Sequence, residues 1–347
     1  MRIEATTIKD IAHALGLSKS TVSRALRDSY EISDMTKQLV LGYAKTINYT
    51  PNPIAVSLKA RKSKSIGVVV PEIADSFFSQ VINGIESVAN EKGYTVMITQ
   101  SLETEEGEIN NISFLALRSV DGCLASVSEE TNDFSHFCDL HKKGLPIVFF
   151  DRIVECVQSH AVTVENVQAA YEGTAHLLKN NYRKIAFIAN APNLYITTKR
   201  FEGYLKALRE YGVPYDENMI NYCPHGGRYY EEVESVLKSL LSKQHRPDAI
   251  FLSTDKLTTS FLRCCKNLGL KIPEDFALVG FSNLDITDLM QPSLTVLRQP
   301  AFEMGRRAAM LLIKAIETKR TDIDCENECL PAQLIIGDSS KARCLAS

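Results

Sequence analysis

The sequence predicts an α/β protein: a small all-α head, then a larger body of two lobes built on parallel sheets. Three observations carry this reading. Charge is split along the chain, with 11 Lys/Arg and 5 Asp/Glu in residues 1–64 against 28 and 37 in the remainder. The head holds three short helical patterns with N-terminal caps, and a glycine turn separates the first two. From Ser65 onward, apolar β-branched runs alternate with helical periodicity, the pattern of a parallel sheet covered on both faces.

Length and composition bound the function. A chain of 347 residues is too long for one ordinary core. Its 45% hydrophobic and 23% charged residues are those of a globular protein. The opening MRIEATTIKDIAHAL has no unbroken apolar stretch of a secretory signal, and no run approaches the roughly 18 apolar residues of a membrane span. A cytoplasmic location without a membrane partner is therefore expected. Nine cysteines, with only Cys264 and Cys265 adjacent, show neither CxxC nor a Cys/His metal spacing. They read as free thiols in a reducing compartment, and neither metal nor cofactor is expected. Cys325 and Cys329 would share a helical face, but no histidine accompanies them. No GxSxG, phosphate loop or GxGxxG occurs, and none of the seven histidines stands in a catalytic spacing, so no enzyme is expected.

In the head, Thr7-Ile8-Lys9-Asp10 fits a capping box and starts a helix at about Ile8, with Ile8, Ile11, Ala12 and Leu15 as its apolar stripe. Gly16 supplies a turn, and Ser18 caps a second helix that runs to about Arg27. That helix divides sharply. Val22, Ala25 and Leu26 share one face, while Lys19, Ser20, Ser23, Arg24 and Arg27 form a polar, basic stripe opposite. Ser33 caps a third helix to about Ile47, with Leu39, Val40, Tyr43, Ala44 and Ile47 closing the small core. Two short helices about a glycine turn are the helix-turn-helix arrangement, whose second helix enters the major groove of DNA. A positively charged module presenting such a face points to a polyanion. After Pro51 and Pro53 there is room for two helical turns at most, too few to be stable alone. Arg61, Lys62 and Lys64 then make a basic linker.

The body reads as two sets of strands and helices with a boundary near 164–166. SIGVVVP, YTVMIT, DGCLASV and PIVFFD belong to the first set; RKIAFIA, RPDAIFLS and DFALVGF belong to the second. The late strand LTVLRQP is expected to return to the first lobe. The expected domains are thus 1–50 head, 51–64 hinge and linker, 65–165 with about 295–340 first lobe, and 166–294 second lobe. Ligands of open α/β sheets bind outside the carboxyl ends of the strands. Those positions hold Asp75, Ser76, Phe77 and Phe78; Asp151 and Arg152; Arg200; Thr254 and Asp255; Ser282 and Asn283. Carboxylates, arginine and an aromatic face suit a sugar or a nucleobase. Two structural readings stay open: Asp255 as a helix cap, and Asp151–Arg152 as an ion pair.

The strings TIKDIAHALGLSKSTVSRAL, NYTPNPIAVSLKARKSKSIGVVVP, HRPDAIFLSTD and PEDFALVGFSN resemble the lactose-repressor (LacI/GalR) family, and the likeness runs from Thr6 to about Ile336. The resemblance implies a periplasmic-binding-protein-like body with three crossovers. It implies base-edge contacts from Lys19, Ser20 and Arg24, and phosphate contacts from Thr7, Thr21, Ser33, Thr36 and Tyr49. It places Ala55 and Leu58 in a hinge helix that pairs with its mate in the minor groove, where Leu58 resembles the leucine levered between base pairs, and gives Asn52, ahead of that helix, as a further DNA-binding residue. Such a wedge costs unstacking energy that the extra contacts of bent DNA offset. The family likeness thus implies a dimeric repressor on a near-palindromic double-stranded operator, controlled by a small effector. A periplasmic sugar-binding protein would share the body but not the head. The chain has Thr254 and Ser282 where the family often carries Asn and Asp. A neutral Ser282 would suit a sugar acid better than a neutral polyol. The helix FEMGRRAAMLLIKAIE, with Met304, Ala308, Leu311, Leu312 and Ala315 on one stripe, and the helix ending ESVANEKGY are the expected dimer interface. No leucine heptads follow Glu317, so a dimer is expected rather than a tetramer.

Overall fold

The computed structural model describes residues 6–49, 62–154, 157–242, 246–318 and 325–342. Its contacts divide the chain into Met1–Lys64 and Ser65–Ser347. The hinge positions Asn52, Ala55 and Leu58 lie outside the described residues.

Three helices build the head: α1 (Ile8–Ala14), α2 (Lys19–Ala25) and α3 (Asp34–Thr46). Local chemistry sets each start. The Thr7 backbone N–H donates to Asp10 Oδ2 at 2.8 Å, completing the capping box. Ser18 Oγ accepts from the Thr21 N–H at 3.0 Å, and Ser33 Oγ from the Thr36 N–H at 3.4 Å. Gly16 turns the chain at φ +63°, a conformation that costs other residues strain. Ile11, Ala12, Val22, Ala25, Val40 and Ala44 are buried together. The expectation for Leu39 fails, because it is 53% exposed. Val40 and Ala44, four residues apart, hold the inward face of α3, and Leu39 is turned about 100° from it.

Each lobe of the body carries a six-stranded sheet. For the first, the strands are β1 (Ser65–Val70), β2 (Thr95–Gln100), β3 (Gly122–Ala125), β4 (Ile147–Phe150), β5 (His160–Val164) and the late β11 (Asn327–Leu330), in the order β11-β5-β4-β3-β1-β2. Its pairings are all parallel. For the second, the strands are β6 (Ile185–Ala189), β7 (Ile220–Tyr222), β8 (Ala249–Leu252), β9 (Ala277–Phe281), β10 (Thr295–Arg298) and β12 (Gln333–Ile335), in the order β12-β10-β9-β8-β6-β7. Only β10 and β12 pair antiparallel. The strands β1, β3, β4, β5, β6, β8 and β9 are almost wholly buried, as helices on both faces require.

The late strand departs from its expected place. LTVLRQP forms β10, which pairs with β9 in the second sheet, Thr295 opposite Val279. The chain crosses back to the first lobe only after β10, and β12 returns to the second. The crossing helix, α11 (Ala301–Thr318), packs against α4 (Ser76–Glu91). Their backbones approach so closely that a Cβ on Gly305 would stand 2.0 Å from the Val81 carbonyl oxygen, and one on Gly84 2.0 Å from that of Phe302. Met304, Ala308, Leu311 and Leu312 are taken up in this intrachain core. That stripe is therefore not free to bind a second subunit. Cys329 lies in strand β11 rather than on a helix, and accepts from the Thr163 hydroxyl at 3.6 Å. Among the described residues no helix is long and apolar enough to cross a membrane.

Candidate DNA-binding face and ligand cleft

The head presents the expected residues outward. Lys19, Ser20 and Arg24 are exposed on α2, as are Thr7 and Ser33 at the caps of α1 and α3; Thr21, Thr36 and Tyr49 are half-buried. Several are already held by neighbours. Ser18 Oγ lies 2.7 Å from Ser20 Oγ and 2.8 Å from Thr21 Oγ1, so the cap of α2 also fixes two predicted contact residues. Arg24 Nη1 pairs with Glu31 at 2.8 Å, both side chains largely exposed.

In the body, a cleft lies between the lobes at the carboxyl ends of the strands, with about 570 Å³ of space partly open to solvent. Phe77, Phe78, Asp151, Arg152, Arg200, Thr254 and Asp255 line it. Ser76, Ser282 and Asn283 do not. Asp75 Oδ1 caps α4, accepting from the Phe77 and Phe78 N–H groups at 2.8 and 3.3 Å. This fixes the two rings edge to face, centroids 5.1 Å apart. Asp151, directly after β4, holds φ +58°, and the Arg152 N–H closes a tight turn onto the Phe150 carbonyl at 2.7 Å. A non-glycine residue in that region is uncommon and marks a site where the fold stores strain.

Arg152 forms no ion pair with Asp151. It makes a two-pronged contact to Glu103, Nη1–Oε2 2.6 Å and Nη2–Oε1 2.9 Å. Arg200, on α8 (Tyr195–Glu210), is 1% exposed and has no carboxylate partner among the described residues. Its Nε donates to Asn166 Oδ1 at 2.8 Å and its Nη1 to the Ser253 carbonyl, and its guanidinium sits 3.7 Å over the Phe281 ring. Burial pushes its pKa down to about 10.

Thr254, not Asp255, caps α10 (Asp255–Leu268), and its hydroxyl donates to Asn190 Oδ1 at 2.9 Å. Asp255 is instead held from behind, by the Ser282 hydroxyl at 2.8 Å and the Asn283 N–H at 3.1 Å. Ser282 thus positions an acid rather than replacing one. This removes the basis for expecting a sugar acid.

Sequence reasoning missed several lining residues, among them Glu72, Glu103, Glu129, Asn190, Arg228 and Gln299. With them the cleft has acids in excess. Glu103 is taken by Arg152, and Glu72 by Lys256 across the cleft at 3.1 Å. Asp75, Glu129, Asp151 and Asp255 remain against Arg200 and Arg228. Burial, followed by the charge of Asp255, pushes Asp75 up to about 7. Burial likewise pushes Glu129 to about 7 and raises Asp255. The lobes touch directly. Glu129 Oε1 accepts from the Ala191 N–H at 3.1 Å, and Gln80 and Asn283 exchange two hydrogen bonds at 2.9 and 3.0 Å.

A basic helix-turn-helix unit, together with a two-lobed body that holds a polar cleft between its lobes, defines the architecture of a DNA-binding transcription regulator. Residues 7–52 match the model of bacterial regulatory proteins of the lacI family, and residues 174–340 that of the periplasmic binding protein-like domain. Over 338 residues the chain is 30% identical to the transcriptional repressor CytR of Escherichia coli K12, covering 97% of each. The chain belongs to the lacI family, as a DNA-binding transcriptional repressor. Among solved structures, a LacI-family regulator from Enterococcus faecium with bound ribose aligns at TM-score 0.70 and 26% identity, covering 80% of this chain and 99% of that one. The lac repressor dimer bound to operator and an anti-inducer aligns at TM-score 0.80 and 20% identity over 98% and 100%, a likeness of fold.

Proposed function

We propose that this repressor is a homodimer on a near-palindromic operator, and that a small hydroxylated effector, a sugar or nucleoside, closes its two lobes. The observation that carries the effector reading is Arg200. A fully buried guanidinium without a carboxylate partner among the described residues, at the floor of a cleft with acids on both walls, supplies fixed donors opposite fixed acceptors, as a polyol requires. The ribose held by the Enterococcus faecium relative agrees with this chemistry. Closure changes the orientation of the first lobes across the dimer and so sets whether the two hinge helices pair on DNA. Operator and effector are then linked by a coupling free energy of about 1–3 kcal/mol.

The dimer reading rests on different surfaces from those expected. Strand β2 is a sheet edge, and around it Ile98, Leu102 and Leu117 are exposed; on the second lobe Ile286 and Leu289 are exposed. Apolar groups on two lobes beside a sheet edge suit a partner of the same chain. The test is operator binding with and without sugars and nucleosides for wild type and Leu58→Ala. The variant is expected to lose operator affinity and keep effector affinity. Wild-type operator binding by Leu58→Ala sinks the hinge assignment, and operator affinity indifferent to every small molecule sinks the effector reading.

A further inference from the structure

The cleft holds more carboxylates than cations: Lys256 pairs with Glu72 and Arg152 with Glu103, which leaves Asp75, Glu129, Asp151 and Asp255 against Arg200 and Arg228. Asp75 stands on the first lobe and Asp255 on the second, both lining the cleft, and the charge of Asp255 raises the Asp75 pKa. Arg152 approaches Asp75 on its own side but is committed to Glu103, and Arg298 approaches Asp255 from behind. Glu129, only 4% exposed, reaches from the first lobe to the Ala191 N–H of the second. The second lobe is shaped to admit it. Gly226, at φ +60°, faces this carboxylate, and a Cβ there would stand 2.8 Å from Glu129 Oε2 and 2.5 Å from Asn190 Nδ2. The charged or titratable groups near Glu129 include Arg152 and Glu103 on its own lobe and, across the cleft, the Cys223 thiol with His225 and Arg228 on either side of Gly226. Among the described residues no three groups converge as metal ligands.

Removing carboxylates from water without a partner is costly, and like charges facing each other add to that cost. We propose that closure of this cleft takes up positive charge onto Asp75, Glu129 and Asp255, either as a proton or as the ammonium of a hydroxylated amine. The effector site therefore disfavours anions. The inference rests on the effector-cleft reading and gives it a ligand class. Burial holds Asp75 and Glu129 near 7, so their closed forms gain protons from solvent below neutrality where open, hydrated carboxylates would not.

The test uses the full chain. Small-angle scattering follows compaction of the ligand-free protein between pH 8.5 and 5.5, for wild type and for Asp75→Asn/Glu129→Gln. Thermal shifts at pH 8 compare three polyols of matched length: sorbitol, its amine glucamine and its acid gluconate. Acid compaction in wild type, with the double amide variant compact throughout, supports uptake of a proton. Glucamine acting at a concentration at least about tenfold below sorbitol assigns the charge to a ligand ammonium. The proposal falls if gluconate equals or exceeds the other two. It also falls if wild type shows neither pH-dependent compaction nor preference for the amine. Should the double variant not fold, the wild-type pH and polyol series decide alone. Arg200→Met should abolish the polyol shifts and leave acid compaction intact, which separates failure of the effector reading from failure of this one.

Discussion

The head and the cleft both recognise polar partners, by opposite physical means. Lys19, Ser20 and Arg24 stand in solvent on a short helix, in a segment with a large excess of Lys and Arg. The charges of Lys19 and Arg24 are exposed, so their pull on a polyanion is long-ranged and screened by salt. Arg200, Asp151 and Asp255 are buried and held by fixed hydrogen-bond partners. Their strength comes from low dielectric and preorganisation, and burial lowers the pKa of Arg200 and raises that of Asp255. An exposed cationic face gives affinity without much discrimination, and a desolvated cleft gives discrimination at a cost in stability. On the proposed function, one chain uses the first to find DNA and the second to decide when to leave it.

Salt should separate the two sites most widely. With six to ten phosphate contacts, operator affinity should fall roughly 10³- to 10⁵-fold between 50 and 200 mM salt. Effector affinity should stay within about threefold, because buried charges are little screened. Titrations of both ligands over that range measure it. Equal slopes would erase the contrast.

Replacing Arg200 by Met comes next. The loss of charge-assisted hydrogen bonds to the effector should cost about 3 kcal/mol, on the order of 100-fold in affinity. Operator binding without effector should not change. The melting temperature should drop as well, since Asn166 Oδ1 and the Ser253 carbonyl lose their buried donor. Calorimetric titration with operator-binding assays reads both quantities. A variant that loses operator binding without effector would make Arg200 a structural residue of the lobe.

The same division explains what is legible in the sequence. The head helices start where Thr7, Ser18 and Ser33 predict, because a cap is a contact between residues three apart. Strand β10 escapes sequence reasoning because its sheet membership depends on Val279, sixteen positions earlier, and nothing local to LTVLRQP records that pairing. In the cleft, Phe77, Asp151 and Arg152 are legible as residues following strands or at the head of a helix, and Arg200 as one within the helix that follows β6. Asn190 and Gln299 follow β6 and β10 directly, and the same rule applied to every strand finds them. Glu129 and Arg228 sit deeper in loops, where only the fold brings them inward. Ser282 misleads as a ligand-facing residue because the sequence shows a residue type but not that Asp255 stands in front of it.

Acidity should act on the two regions with opposite sign. Asp75 and Glu129 hold their protons in the folded body up to about pH 7, whereas in the unfolded chain they lose them near pH 4. Between those limits the folded state binds more protons, so their contribution to stability falls as pH rises from about 4 to 7 and stays low above it. In the head, Asp10 is held below its usual value by the Thr7 backbone and hydroxyl, so its capping contribution is present above pH 4 and lost as pH falls. Melting curves of Asp75→Asn/Glu129→Gln between pH 5 and 8 should have a flatter pH slope than wild type. An unchanged slope would show that these two carboxyls do not titrate with folding.

The smallest expected effect lies on the DNA-binding face. Glu31 is exposed and holds Arg24 at 2.8 Å. An exposed pair of this kind contributes about 0–1 kcal/mol to stability, so Glu31→Gln should leave the melting temperature nearly unchanged. It removes a negative charge beside the recognition helix and releases a guanidinium that operator binding would otherwise have to detach. Operator affinity should rise by a few-fold, about 0.5–1 kcal/mol, with the gain largest at low salt where the removed charge is least screened. Effector affinity should not move. Fluorescence anisotropy on operator and on unrelated DNA, at two salt concentrations, resolves a change of this size. A gain equal on both DNAs would mean that Glu31 only lowers the field of the head. A gain larger on operator would mean that it holds back a residue that reads sequence. A loss on both would show that the Arg24–Glu31 pair orients the guanidinium for binding, and would place preorganisation on the exposed face as well as in the cleft.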